Sequence, residues 1–207
     1  MKILELFKGT GSITKYYENK DNEIISLDIL EKYKPSICCD IINWDYTIYP
    51  KGYFDIIWAS PECKIFSPLQ NTHIGKKWKD KKELQDERDK NSIFIKKTIE
   101  IIEYFKPTYY FIENPLYSKI WDYVDDNYKN NFVIVDYCYF GYNYKKPTKI
   151  LTNKKLENKR CSCKKHDMRI GVSSKANMAN ADVVRGDSTT LNERYSIPPI
   201  LLEYLFS

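Results

Sequence analysis

The segment Ala59-Ser60-Pro61-Glu62-Cys63-Lys64-Ile65-Phe66-Ser67 sets a thiol just after an apolar run, with Pro61 stiffening the approach. A thiol in a strand-to-helix turn gains thiolate character from the N–H groups of the following helix and from cations such as Lys64, so Cys63 is a candidate nucleophile. A second reactive group, Glu113, closes the apolar run Tyr110-Phe111-Ile112 and precedes Asn114 and Pro115. A carboxyl at such a strand end is poorly solvated and can hold or share a proton at neutral pH, although on its own it could equally cap a helix. Together the two groups would support covalent chemistry assisted by an acid.

The run Phe7-Lys8-Gly9-Thr10-Gly11 follows another short apolar stretch. Its glycines permit a tight turn and close approach of backbone to a ligand, but neither a full G-x-G-x-x-G nor a Walker lysine and serine pair is present. Dinucleotides and triphosphates therefore fit less well than a ligand with a ribose and an adenine but no pyrophosphate. Asp28 and Asp40 end two further apolar runs, where their carboxylates could accept bonds from ribose hydroxyls and an exocyclic amine. S-adenosylmethionine has these parts. Taken singly, each Asp reads as a cap or turn former; their joint placement favours the ligand. Cys38, Cys39 and Cys138 read as small hydrophobes.

These groups need a scaffold. Apolar runs at Ile3–Phe7, Glu23–Leu27, Ser36–Cys39, Tyr53–Ala59, Tyr109–Ile112, Phe132–Tyr139 and Thr148–Thr152 read as strands. Helical spacing follows Gly11 at Ile13, Tyr16 and Tyr17; helices are also predicted over Lys76–Lys90, Ile93–Phe105, stopped by Pro107, and Pro198–Phe206. Strands alternating with helices define an α/β fold with an open, mostly parallel, doubly wound sheet, which binds ligands at the carboxyl ends of its strands. Residues 153–192, rich in Lys, Asn, Ser and Asp, break the rhythm. The expected organisation is a core over 1–152, a small basic insertion over 153–192 serving as a recognition element, and a helix over 193–207 returning to the core.

At 207 residues the chain suffices for one sizeable core, and 43% apolar residues with 18 Tyr, 9 Phe and 4 Trp exclude wholesale disorder. No apolar run approaches the roughly 20 residues of a bilayer span, and the start has no cleavage-site pattern, so an intracellular protein without membrane association is expected. Six cysteines in no framework-like spacing fit a reducing compartment. The net charge of +5 is mild, but Lys76, Lys77, Lys79, Lys81 and Lys82 crowd one segment, and Lys154, Lys155, Lys159, Arg160, Lys164 and Lys165 another. Two such patches could flank a groove for a polyanion, or be solvated loops. Cys161, Cys163 and His166 lack the spacing of common zinc sites, so no metal is expected. His73, alone in a polar loop, reads as exposed or as a nucleic-acid contact.

In order and spacing FKGTG, SLDI, CDI, ASPECKIFS and FIENP resemble the DNA cytosine-5 methyltransferases, specifically short phage- and virus-like members. The resemblance covers residues 1–152 and the helix after Ile197-Pro198-Pro199. It implies a Rossmann-like fold dependent on S-adenosylmethionine, with Phe7, Gly9, Gly11 and Pro61 at the cofactor. Asp28 would bind the ribose and Asp40 the adenine, with Ile29 and Ile41 packing on the ring. Cys63 would be the nucleophile and Glu113 the partner of ring nitrogen 3, with Asn114, Lys145 and Lys146 at the substrate. The implied partner is double-stranded DNA with its target base flipped out, met by a monomer, with a cognate restriction enzyme as a further candidate.

Two departures matter. Glu62 stands where the family has Pro before the nucleophile, and a neighbouring carboxylate disfavours a thiolate. Tyr142–Thr148 offers lysines where the family has arginine, keeping the charge but not the fork. The alternatives are a catalytically weakened or silent nucleic-acid-binding protein, an exocyclic-amine methyltransferase, or an RNA cytosine methyltransferase.

Overall fold

The computed structural model describes residues 1–207 except 19, 129, 143, 163–167 and 170–194, and of 168 and 169 the backbone alone. The strands are β1 (Lys2–Leu6), β2 (Glu23–Asp28), β3 (Ile37–Cys38), β4 (Ile56–Ala59), β5 (Tyr109–Pro115), β6 (Phe132–Asp136), β7 (Tyr144–Lys145), β8 (Pro147–Thr152) and β9 (Met168–Arg169). The helices are α1 (Ser12–Tyr17), α2 (Lys81–Asn91), α3 (Ile93–Phe105) and α4 (Pro199–Phe206).

Seven strands form one sheet in the order β3-β2-β1-β4-β5-β8-β6, while β7 and β9 pair in parallel beside it. Strands β1 to β5 run parallel, and β8 lies antiparallel between β5 and β6. Alternation along the strands divides the core. Leu4 and Leu6 of β1, Ile57 and Ala59 of β4 and Ile112 of β5 face Ile95, Ile101, Ile102 and Phe105 of α3. Ile3, Trp58 and Phe111 face the opposite way, against Ile13 and Tyr17 of α1 and Leu201, Leu202 and Leu205 of α4. Helices on both faces explain why the inner strands are apolar on both sides.

The order reverses between β1 and β4, so the chain leaves their carboxyl ends in opposite directions and opens a crevice there. The turn after β1 carries Gly9 and Gly11, and the turn after β4 carries Cys63. Gly11 precedes α1 in the left-handed region and offers no side-chain cap. Glu5, on the same face of β1 as Ile3, supplies it from a distance, accepting bonds from the Ile13 and Thr14 amides at 3.0 and 3.2 Å. Burial of Glu5 pushes its carboxyl above the ordinary range despite those bonds.

Four local expectations are corrected. The run Phe132–Tyr139 leaves the sheet after Asp136 and coils into a 3-10 turn over Tyr137–Phe140, capped by Gly141 at φ 89°. The run Tyr53–Ala59 pairs only from Ile56. The segment Lys76–Lys90 is helical only from Lys81, where the Asp80 carboxylate accepts the Glu83 amide at 2.9 Å. No α-helix follows Cys63 directly: a turn leads to a 3-10 segment over Pro68–His73, so helix-end stabilisation of a thiolate is unavailable there. Beyond β8, Lys159 exchanges backbone bonds with Ile134 and Asp136, so this part of the expected insertion runs along β6.

Candidate active site

At the carboxyl ends of β1, β2 and β3 lies an open cleft of about 130 Å³, lined by Phe7, Leu27, Asp28, Ile29, Cys39, Asp40, Ile41, Glu62 and Phe94. Five of these were expected at the cofactor: Phe7, Asp28, Ile29, Asp40 and Ile41. Phe7 is held at φ 57°, unusual for a side chain with a Cβ, and its ring meets that of Phe94 edge-on at 6.5 Å. Gly9 and Gly11, at φ 48° and 68°, shape the adjoining turn rather than line the cleft. Asp28 fixes that turn, since Oδ2 accepts the Gly9 amide at 2.9 Å and Oδ1 the Leu30 amide at 2.8 Å. Asp40 uses Oδ1 for the Ile42 amide at 3.0 Å. Leu27, Cys39 and Phe94 went unrecognised in the sequence, because an apolar residue lining a cleft has the same pattern as one lining a core.

The turn after β4 is pinned from several sides. The Ser60 amide reaches the Leu6 carbonyl at 3.4 Å, and the Phe66 amide closes on the Cys63 carbonyl at 3.1 Å. Asn114 Nδ2 donates to the Pro61 carbonyl at 2.8 Å. From α2 the buried Arg88 donates Nε to the Ile65 carbonyl at 3.2 Å and Nη2 to that of Ser67 at 3.4 Å. Pro61 is buried beneath this turn and does not line the cleft.

Glu113, 7% exposed, stands at the end of β5. Its Oε1 accepts the Tyr137 hydroxyl at 3.2 Å and lies 3.7 Å from Lys146 Nζ, which also sits 4.5 Å from the Tyr137 ring centre. Burial pushes the Cys63 thiol up and the Glu113 charge adds to this; Lys146 opposes it, and Glu62 contributes a smaller upward push. Cys63, Glu113 and Lys146 thus act on one another in one place, beside the cleft that Glu62 lines.

The structure separates the two lysines expected at the substrate. Lys146 pairs with Glu113, whereas Lys145 Nζ lies 3.7 Å from Oδ2 of the fully buried Asp136. That same oxygen takes Arg160 Nε at 3.0 Å and the Cys161 amide at 2.8 Å. Asn114 likewise faces the nucleophile turn through its amide nitrogen, while its Oδ1 is buried without a hydrogen-bond partner among the described residues. His73 is exposed. Of the residues weighed as zinc ligands, Cys163 and His166 lie outside the described residues. No helix among the described residues is long and apolar enough to cross a membrane.

A parallel five-strand array extended by an antiparallel β8 and by β6, with a glycine turn and acidic strand ends at its switch point, defines a Rossmann-like methyltransferase fold. A protein of Frog virus 3 (isolate Goorha), named "Probable DNA (cytosine-5)-methyltransferase", is 30% identical over 216 residues, covering 98% of this chain and 97% of its own. The chain belongs to the DNA (cytosine-5)-methyltransferase family. No protein-family model matches it. Among solved structures, a candidate DNA modification methyltransferase encoded within an E. coli prophage superposes with a TM-score of 0.49 at 13% identity. That match covers 73% of this chain and 46% of the other.

Proposed function

We propose that this chain methylates carbon 5 of cytosine in double-stranded DNA, using S-adenosylmethionine and a covalent adduct on Cys63. The observation that carries the reading is the mutual influence of the Cys63 thiol, the Glu113 carboxyl and the Lys146 ammonium beside an acidic cleft.

The lining of the cleft suits the cofactor in chemistry. Phe7, Ile29, Ile41 and Phe94 give apolar faces for an adenine, and Asp28 and Asp40 give acceptors for hydroxyl and amine donors. When bound, S-adenosylmethionine supplies an electrophilic methyl group. Carbon 5 of cytosine is a poor nucleophile until the ring is activated, and the chain's own residues perform that activation. Cys63 Sγ adds to carbon 6 while Glu113 bonds to ring nitrogen 3 and offsets the charge that develops there. Because burial and Glu113 hold Cys63 as a thiol, its proton must pass to water as the base arrives, and the Lys146 cation favours that loss. Carbon 5 of the adduct would then take the methyl group from the sulfonium, leaving a neutral thioether, and transfer of the carbon 5 proton to water would break the bond from carbon 6 to Cys63 Sγ and return the thiolate. The base reaches Cys63 only outside the helical stack, at a cost of a few kcal/mol that phosphate contacts from the exposed Lys76, Lys77 and Lys79 would offset.

DNA containing 5-fluorocytosine should trap a covalent complex that Cys63→Ala abolishes. Neither complex nor labelled methyl on any of varied DNA sequences would overturn the reading. One observation favours a second one: Glu62 lines the cleft and pushes the Cys63 thiol up, as in a nucleic-acid-binding protein whose catalysis is suppressed. Cofactor binding without turnover, with activity appearing in Glu62→Pro, would favour it. Sedimentation with and without duplex DNA tests whether the active species is a monomer.

A further inference from the structure

Resting on the cysteine-adduct reading, we infer that Tyr137 is a positioning residue that occupies Oε1 of Glu113 and so reserves Oε2 for the target base.

Tyr137 lies in the 3-10 turn where the chain leaves β6, and it is fully buried. Its hydroxyl donates to Glu113 Oε1 at 3.2 Å, and the Thr148 side chain of β8 hydrogen-bonds to Tyr137 as well. Burial and the adjacent Glu113 push the phenol well above its ordinary value, so it keeps its proton and remains a donor. Lys146 approaches the same Oε1 at 3.7 Å. With the Tyr137 hydroxyl donating to Oε1 and the Lys146 cation beside the same oxygen, Oε2 is the carboxyl oxygen left to meet ring nitrogen 3. The early coiling of the chain after Asp136 thereby acquires a purpose, because a strand continuing through Tyr137 would follow a different path past Glu113.

The test is the single-turnover rate of adduct formation with 5-fluorocytosine DNA for the wild type, Tyr137→Phe, Glu113→Ala and the double variant. Tyr137→Phe should lower the maximal rate roughly 10- to 100-fold, as loss of a buried hydrogen bond to a charged group does, leaving the half-saturating DNA concentration unchanged. In the Glu113→Ala background, which has no carboxyl for Tyr137 to hold, the same change should alter the residual rate less than about twofold, which a merely structural role would not produce. An unchanged maximal rate in Tyr137→Phe, or equal penalties in both backgrounds, overturns the inference while leaving the adduct reading standing. Absence of any wild-type adduct overturns both. Should Tyr137→Phe lose its thermal transition, Thr148→Val must show a smaller penalty that likewise vanishes with Glu113→Ala, and an additive penalty there overturns the inference.

Discussion

Nδ2 of Asn114 donates to the carbonyl oxygen of Pro61 at 2.8 Å, and this bond joins the end of β5 to the turn that carries Cys63. Glu113 and Cys63 lie at the ends of strands adjacent in the sheet but 50 positions apart in the chain, so their spacing depends on such ties.

Replacing Asn114 by Ala should therefore affect chemistry more than binding. The change leaves a buried carbonyl without its donor and should cost about 1–3 kcal/mol of stability, read by urea denaturation. The rate of adduct formation should fall several-fold, while DNA affinity stays within about twofold.

The pH dependence of Cys63 follows from its surroundings. Burial and the Glu113 charge push its thiol above the ordinary value, so the thiolate fraction should still be rising at pH 9. Alkylation of Cys63 by iodoacetamide, followed by peptide mass spectrometry, should show that rise. Lys146→Met should move the curve to higher pH and Glu62→Gln to lower pH. In the folded state the proton is held more tightly than in the unfolded chain, so this group's contribution to stability is present below the ordinary thiol value and is lost above it.

Gly11→Ala probes the turn after β1. At φ 68°, with Lys8 Cε 3.3 Å from an added Cβ, the substitution is strained and should destabilise the fold by about 1 kcal/mol. Calorimetric titration with S-adenosylmethionine should show weaker binding.

Asp136→Ala should loosen the start of the segment after β8. It removes the common partner of Arg160 Nε and the Cys161 amide, for an expected loss of about 2 kcal/mol, moderated because the Arg160 side chain is 42% exposed. Thermal denaturation measures the loss, and limited proteolysis should cut first near Arg160.

Much of the scaffold was legible in the sequence because apolar runs ending in Gly or Asp report parallel strands directly. Cys63, Glu113, Asp28 and Asp40 stood out by lying at those ends. The remainder depended on long-range geometry. Tyr137 read as part of a strand because Phe132–Tyr139 is apolar apart from Asp136, yet the chain coils into a 3-10 turn directly after that residue. Lys145 and Lys146 were indistinguishable as neighbours, yet alternation along an extended segment sends one to Asp136 and the other to Glu113. Arg88 lies in the charged segment 76–90, and its hold on the Ile65 and Ser67 carbonyls has no local signature.

The last helix has a consequence for biosynthesis. The Ile197 amide bonds to Ser12 Oγ at 3.0 Å, and the Phe206 ring packs on Tyr16 and Tyr17. Strand β1 and α1 are made before α4, so α1 meets its cover only after residue 206 has emerged. Until then the nascent chain exposes Ile13 and Tyr17, a surface for chaperones to shield.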